Sequence, residues 1–488
     1  MVVGDVTTGT DVLIIGAGPA GYAAAIRAGQ LDLDVTLVEK EAYGGTCLNH
    51  GCIPSKALIS ATNVAHEAGN AEEMGIHADP AVDLSAMVGW KDGVVDRLTS
   101  GVEKLCKANG VNVLEGTATF ADETTVRVSH ERQGQGSERL EFEHAIVATG
   151  SRPIEIPGFP FEDGPVLSSR EALALESVPD SLVVVGGGYI GMELAGVFAK
   201  LGTDVTVIEM LEDVLPGYEA DLARPVKKRA TDLGIDVHVG YTAAEWHDRD
   251  DGEGIRVLAE PAGEVSADGG VEALEEEALE FDAEKVLVAV GREPVSDALE
   301  LGNAGLEPDD RGFLETDDQG RTALERIFAA GDVAGEPMLA HTGMVEGQVA
   351  AEVIAGEPAT LDYQAMPAAV FTEPEIGTVG LTEAQAEEEG FEPVVGKFPF
   401  RASGRALTAG HADGFVKVVA EEREGFVLGA QIVGPEASEL IAELGLAIEL
   451  GATLEDVAAT VHTHPTLAES VMEAAENALG KAIHTLNR

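Results

Sequence analysis

Cys47 and Cys52 stand five positions apart in the run Gly44-Gly-Thr-Cys-Leu-Asn-His-Gly-Cys-Ile-Pro-Ser-Lys56, and the chain of 488 residues holds one other cysteine. Thiols at that spacing can cross-link a fold, ligate a metal or cycle as a redox dithiol. A chain so poor in cysteine does not use disulfides as staples. Zinc would need further ligands. His462-Thr-His464 is the nearest thing to a set, but that pair is closer than the usual histidine spacing and there is no second cysteine pair. The run leads into a helix, because Pro54 follows Cys52 where a first-turn proline is tolerated. A thiol near a helix N-terminus has its thiolate stabilised by the helix dipole, so the segment suits a reactive dithiol.

The elements that must position this dithiol are legible upstream and in a repeat. Val12-Leu-Ile-Ile15-Gly16-Ala-Gly18-Pro-Ala-Gly21 reads as a buried strand, a glycine turn and a helix start, and Glu39 closes the next strand. Leu182-Val-Val-Val185-Gly186-Gly-Gly188-Tyr-Ile-Gly191 repeats the pattern with Glu209, and in both copies the acid lies 23 positions after the first glycine. The first glycine makes the tight turn, the second lets the backbone approach a pyrophosphate and the third permits close helix–strand packing, while the acid accepts from a ribose hydroxyl. Two dinucleotides in one chain are expected. The first fold leads into the dithiol, so its ligand exchanges electrons with sulfur. The second is self-contained and suits an exchangeable nicotinamide. No basic residue lies between Asp204 and Pro216 to meet a 2′-phosphate, and Glu209 would repel one, which favours NAD over NADP.

Two further apolar strands end in matched turns, Ala145-Ile-Val-Ala-Thr149-Gly150-Ser-Arg-Pro153 and Val286-Leu-Val-Ala-Val-Gly291-Arg-Glu-Pro294. They are read as the places where the chain leaves and re-enters the first nucleotide fold, making the second an insertion. Residues 260–284 carry ten acids and no base, the pattern of a solvated hairpin or loop. After about residue 350, strands at Phe415–Ala420 and Val427–Val433 precede helical periodicity from Ser438 to Leu450, which reads as a separate α+β domain. Cys106, in the helical stretch from Arg97, reads as a passive core thiol.

Composition bounds the rest. The length predicts three or four domains, and 45% hydrophobic residues suffice for a substantial core. No run approaches a membrane span, and Met1 to Thr10 shows no secretory pattern, so a soluble cytoplasmic enzyme is expected. With 31 basic against 87 acidic residues the net charge is −56, which argues against nucleic acid and anionic membranes as partners. Self-repulsion on that scale opposes compactness in dilute buffer and is screened at molar salt, where the Debye length falls to about 3 Å. Structure or activity is therefore expected to be lost on desalting. Circular dichroism and turnover followed as salt is dialysed away check this, and full stability in dilute buffer would sink it.

These motifs together resemble the disulfide-reductase branch of the two-dinucleotide flavoproteins, most closely the dihydrolipoamide dehydrogenases. The markers are Gly45-Thr-Cys-Leu-Asn-His-Gly-Cys-Ile-Pro-Ser-Lys56, Gly186-Gly-Gly-Tyr-Ile-Gly-Met-Glu193, Ile327-Phe-Ala-Ala-Gly-Asp332 and His462-Thr-His-Pro-Thr-Leu-Ala-Glu469, and the similarity covers essentially the whole chain. The resemblance implies an α/β fold with two Rossmann-like domains, for FAD and NAD, and a C-terminal α+β dimerisation domain. It divides the chain into a first FAD-binding part at 1–152, an NAD-binding domain at 153–281, a second central part at 282–350 and an interface domain at 351–488. FAD would be held by Gly16, Gly18, Gly21 and Glu39 at its adenosine half and by Asp332 at its ribityl chain, with Lys56, Thr149, Gly150 and His341 also on that side. Gly186, Gly188, Gly191, Glu193, Glu209 and Gly291 would serve NAD, with Glu193 also pairing Lys56.

In the chemistry so implied, dihydrolipoamide is oxidised by exchange with a Cys47–Cys52 disulfide, Cys47 being the interchange thiol and Cys52 the thiolate facing the flavin. A free thiol is mostly protonated at neutral pH, so a base is required. His464 matches the family's base and Glu469 the carboxylate that orients it, with His462 the weaker candidate. The base comes from the partner subunit, which implies a homodimer, and the substrate would be free or borne on a lipoyl carrier domain. His50, between the cysteines, reads as an exposed side chain in preference to one that tunes the thiols, and no role follows for Thr342. Glutathione-type reductases would want basic residues after Glu209, and mercuric reductase a further cysteine pair beyond Cys106; neither is present. A transhydrogenase would have no use for both cysteines, and a non-catalytic subunit none for the full set of Cys47, Cys52, His464 and Glu469.

Overall fold

Apolar strands without alternation must be covered on both faces, and that requirement organises the molecule. The computed structural model describes residues 7–130, 136–161, 164–249, 252, 254–265, 271–272 and 277–487. In the first sheet the strand Thr7–Ile15 lies between Val35–Glu39 and Ser137–Val147, all parallel, and Asn112–Glu115 extends one edge. Thr125–Ser129 and Thr117–Asp122 continue the other side antiparallel, and Ile327–Ala329 returns late in the chain to pair with Ser137–Val147. Val12, Leu13 and Ile14 are fully buried, and each such side chain stabilises the fold by about 1.5–3 kcal/mol. The helices Pro19–Gln30 and Ala340–Ile354 cover one face, crossing so closely that a Cβ on Gly347 would lie 2.3 Å from the carbonyl oxygen of Ala20.

The second sheet is all parallel, in the order Asp236–Val239, Asp204–Glu209, Ser181–Val185, Lys285–Val288, Val166–Leu167. The helices Tyr189–Lys200 and Ala220–Asp232 pack on one face, the latter through Leu222, Val226 and Ala230 at helical spacing. An antiparallel layer of Tyr241–Asp248, Ile255–Pro261 and Leu279–Ala283 covers the other. The acidic stretch 260–284 is in part the strands of this layer and in part a short pairing of Glu264–Val265 with Val271–Glu272; residues 266–270 and 273–276 lie outside the described residues.

The second sheet lies in sequence between Val147 and Ile327, both in the first, so it is an insertion. One detail differs from the sequence reading. Val286–Val288 belongs to the second sheet and does not re-enter the first. What matches is the pair of turns: Ser151–Pro153 and Arg292–Pro294 run antiparallel to each other as a two-stranded strap where the chain crosses out and back.

The third sheet is antiparallel, Ala368–Val370, Glu375–Gly380, Val427–Gly434, Phe415–Glu421, Pro393–Pro399. The helices Ala437–Glu449 and Glu469–Ala478 pack on it through Ile441, Leu444 and Val471. Among the described residues no helix is long and apolar enough to cross a membrane.

Candidate active site

The two glycine turns are built alike to the level of single hydrogen bonds. Gly16 and Gly186 have φ of +103° and +106°, backbone that L side chains rarely adopt. Their N–H groups donate at 2.8 Å to the carbonyls of Val38 and Ile208. A Cβ on Gly21 or Gly191 would lie 1.8 or 2.0 Å from the carbonyl oxygen of Gly16 or Gly186. The glycine N-caps Gly18 and Gly188 give their helices no side-chain cap, and first-turn N–H groups left without a partner in this way suit a phosphate. One carboxylate oxygen of Glu39 accepts from Ala17 N–H at 2.7 Å and the other from Glu41 N–H at 2.7 Å; Glu209 does the same with Gly187 at 2.6 Å and Leu211 at 2.8 Å.

One continuous cavity is lined by Gly16, Gly18 and Glu39 of the first turn, by Thr149, Gly150 and Asp332, and by Cys47, Cys52, Lys56 and Glu193. Such a cradle, with an uncapped helix end, an acid beside the glycine loop and a second acid near the thiols, fits FAD. Gly21 stands behind it as packing, and Gly186, Gly188, Gly191 and Glu209 form the separate second turn. Gly291 sits at the strap with φ +136°. His341 does not line the cavity; its Nε2 lies 2.7 Å from the carbonyl oxygen of Pro367.

Cys47 lies on the short helix Gly45–His50 and Cys52 opens the helix Cys52–Gly69, so the bend at Gly51 brings the thiols together. Both are free thiols. They share a hydrogen bond that holds Cys47 protonated, its pKa pushed far up by that bond and by burial. Cys52 goes the other way, down to about 7, chiefly because it accepts from Cys47; that bond, with the smaller help of the Lys56 charge one helical turn on, prevails over the cost of burial. Cys52 is therefore a thiolate above pH of about 7 and loses that charge as pH falls through it. Thiolate absorbance of the reduced protein is expected to titrate with that midpoint and to move to higher pH in Lys56→Met; an unmoved midpoint would show that the ammonium is not responsible.

The Lys56 ammonium is 2.7 Å from a carboxylate oxygen of Glu193 and 4.6 Å from the centre of the Phe371 ring. The other Glu193 oxygen accepts from Phe371 N–H at 2.9 Å, and its side chain is 3% exposed. Glu193 thus joins the dithiol helix, the second nucleotide fold and the segment after Ala368–Val370, and it faces the first cavity. Sequence reasoning missed Phe371, and it missed Ser151 and Arg292. The Arg292 guanidinium donates to Ser151 Oγ and to its carbonyl oxygen, both at 2.7 Å, and Ser151 Oγ donates to Asp332. The matched turns at Gly150 and Gly291 mark where Ser151 and Arg292 stand but not that they meet.

His464 lies outside the cavity of its own chain, its side chain 81% exposed. Its Nδ1 is 2.9 Å from one oxygen of Glu469, whose other oxygen accepts from Thr466 N–H at 2.8 Å. Burial raises the Glu469 pKa, but the Thr466 and His464 contacts prevail and hold it below the usual carboxylate value. The free Nε2 faces outward, as a base for a second copy would. His50 departs from the sequence reading: it is half-buried, lines the cavity, and has its pKa lowered by burial and by Arg170. Cys106 is wholly buried, and burial pushes its pKa up to about 11.

Comparison with known proteins agrees with this geometry. Residues 10–347 match the pyridine nucleotide-disulphide oxidoreductase family, and residues 366–475 its dimerisation domain. The chain is 69% identical over its full length to the dihydrolipoyl dehydrogenase of Halobacterium salinarum, which it covers completely. It is 48% identical, also end to end, to that of Geobacillus stearothermophilus. Among solved structures, LpdA of Mycobacterium tuberculosis superposes with a TM-score of 0.86 at 27% identity, over 96% of this chain and 99% of that one. The HOCl-induced flavoprotein disulfide reductase RclA of Escherichia coli gives 0.82 at 25% identity, over 96% and 99%. The chain belongs to the pyridine nucleotide-disulphide oxidoreductase family and, within it, to the dihydrolipoyl dehydrogenases.

Proposed function

We propose that the chain oxidises dihydrolipoamide to lipoamide and reduces NAD⁺ to NADH, releasing one proton, with Cys47 and Cys52 as the dithiol that carries the electrons. The observation that carries this reading is the thiol pair itself, one member poised as thiolate and one held protonated, opening on the FAD cradle. The cofactors of the family are FAD and NAD; when bound, the flavin supplies two-electron transfer between sulfur and nicotinamide. In this reading residues 1–152 and 282–350 hold FAD, with Gly16, Gly18, Glu39 and Asp332 at its phosphates and hydroxyls and Gly21 packing behind the turn. Residues 153–281 hold NAD through Gly186, Gly188, Gly191 and Glu209.

The chain's own residues perform the sulfur chemistry. With Cys47 and Cys52 joined, a substrate thiolate attacks the Cys47 sulfur, a mixed disulfide forms, and Cys52 leaves as thiolate. A leaving thiol of low pKa departs faster, which suits the position of Cys52 beside Lys56. The second substrate thiol then attacks the substrate sulfur of the mixed disulfide, releasing the cyclic disulfide product and Cys47. Each attack needs a proton removed, the task assigned to His464, with Glu469 fixing its ring. Since His464 does not reach its own cavity, the dimer supplies it from the second copy; the dimerisation domain makes the chain a homodimer.

The partner would be a lipoyl-bearing carrier domain of a 2-oxoacid dehydrogenase or glycine-cleavage system. The cytoplasm is the location proposed, where a dithiol that must cycle is not locked by oxidation. The test is NAD⁺ reduction by dihydrolipoamide in molar salt, run beside NADPH with glutathione disulfide and NADPH with Hg²⁺. Fast, NAD-specific turnover with dihydrolipoamide is expected. Activity with another disulfide alone would keep the electron route and replace the substrate.

A further inference from the structure

His462 and His464 are two residues apart and have opposite surroundings. The side chain of His462 is 7% exposed, against 81% for His464. Its Nδ1 lies 2.8 Å from the carbonyl oxygen of Thr460, the C-cap of the helix Leu454–Ala459. Its Nε2 lies 2.8 and 3.1 Å from the two carboxylate oxygens of Glu443, in the helix Ala437–Glu449. A carbonyl and a carboxylate only accept, so each ring nitrogen faces an acceptor of this chain. A buried ring held at both nitrogens does not face a substrate as the exposed His464 does.

The same contacts give it another task. The ring ties the start of the loop to two helices, one of which is seated on the third sheet through Ile441 and Leu444. On the far side Thr466 Oγ1 donates to the Thr463 carbonyl at 2.7 Å, and Thr466 N–H donates to Glu469. Between the His462 anchor and Thr466 only Thr463, His464 and Pro465 remain. Glu469 sets the rotation of the His464 ring and holds the backbone on its far side through Thr466 N–H; on the near side the backbone is held through His462. We propose that His462, clamped between Thr460 and Glu443, is a positioning residue that fixes the backbone carrying His464, and hence the reach of that base into the neighbouring copy's site. The proposal rests on the reading of His464 given above.

The experiment uses the FAD-loaded dimer in molar salt and compares His462→Gln, Glu443→Gln and His464→Gln. A displacement on the order of 1 Å in a reacting group costs about 10²-fold in rate, so kcat for dihydrolipoamide is expected to fall by about that factor in His462→Gln and Glu443→Gln, with KM for NAD⁺ unchanged. Oxidation of NADH by ferricyanide, which needs neither thiol nor base, is expected to stay at the parent level, as are the flavin spectrum and the dimer in sedimentation. His462→Asn keeps the donor toward Thr460 and is expected to recover part of the loss. Parent-level turnover in His462→Gln and Glu443→Gln, while His464→Gln is impaired, overturns the proposal alone. Loss of ferricyanide activity or of the dimer in His462→Gln overturns it too, by showing a general structural role. Undiminished turnover in His464→Gln overturns the reading on which it rests.

Discussion

Cys52→Ser is expected to abolish oxidation of dihydrolipoamide while the protein keeps its FAD and its dimer. Serine oxygen cannot form the Cys47–Cys52 bond, so no oxidised pair exists for the substrate to attack and turnover falls to background. The change is close to isosteric at the first position of an 18-residue helix, where serine is well tolerated and the fold loses nothing large. The residues proposed to hold the flavin, Gly16, Gly18, Glu39 and Asp332, are not touched. Visible absorbance of the purified variant reads cofactor retention and the dihydrolipoamide assay reads the loss. Retained turnover would remove the dithiol from the mechanism.

His464→Gln is the second large effect. Positioned acid–base groups contribute about 10²–10⁴-fold, and kcat/KM for dihydrolipoamide is expected to drop by that order with KM for NAD⁺ unaltered. Mixing subunits sharpens the result. In a hybrid of one Cys52→Ser subunit and one His464→Gln subunit, one site pairs the intact dithiol with the intact histidine across the interface and the other site has neither. Denaturing and reassociating the two inactive variants is therefore expected to restore activity. If each histidine served its own chain, every hybrid site would lack one group and the mixture would stay inactive.

How legible the site was depended on how local its parts are. The glycine turns, their acids and the dithiol are each written in a short run, and the geometry at Gly16 and Gly186 follows from that run alone. His464 and Glu469 are five apart and meet within one turn of chain. The relay from Arg292 through Ser151 to Asp332 spans 141 and 181 positions, and no local pattern names it. Phe371 joins Glu193 across 178 positions. The strand Val286–Val288 was read correctly as a buried strand and placed in the wrong sheet, because burial on both faces says that a strand is covered and not which neighbours cover it. His50 has two readings in the sequence, an exposed side chain or one that tunes the thiols, and its own run does not choose between them; it is half-buried in the cavity wall.

The strap of Ser151–Pro153 against Arg292–Pro294 has an evolutionary and engineering meaning. Everything between those two short strands enters and leaves at one place, and chain ends that lie side by side are what make a segment transplantable. The inserted nucleotide unit is in that sense a cassette: exchange for one of different coenzyme preference would leave the flavin, the thiols and the dimer with their own core, provided the graft keeps Glu193, which reaches back to Lys56 and Phe371. Arg292 and Ser151 then mark the stitch that any graft must keep, because they lie at the seam and reach Asp332 from it.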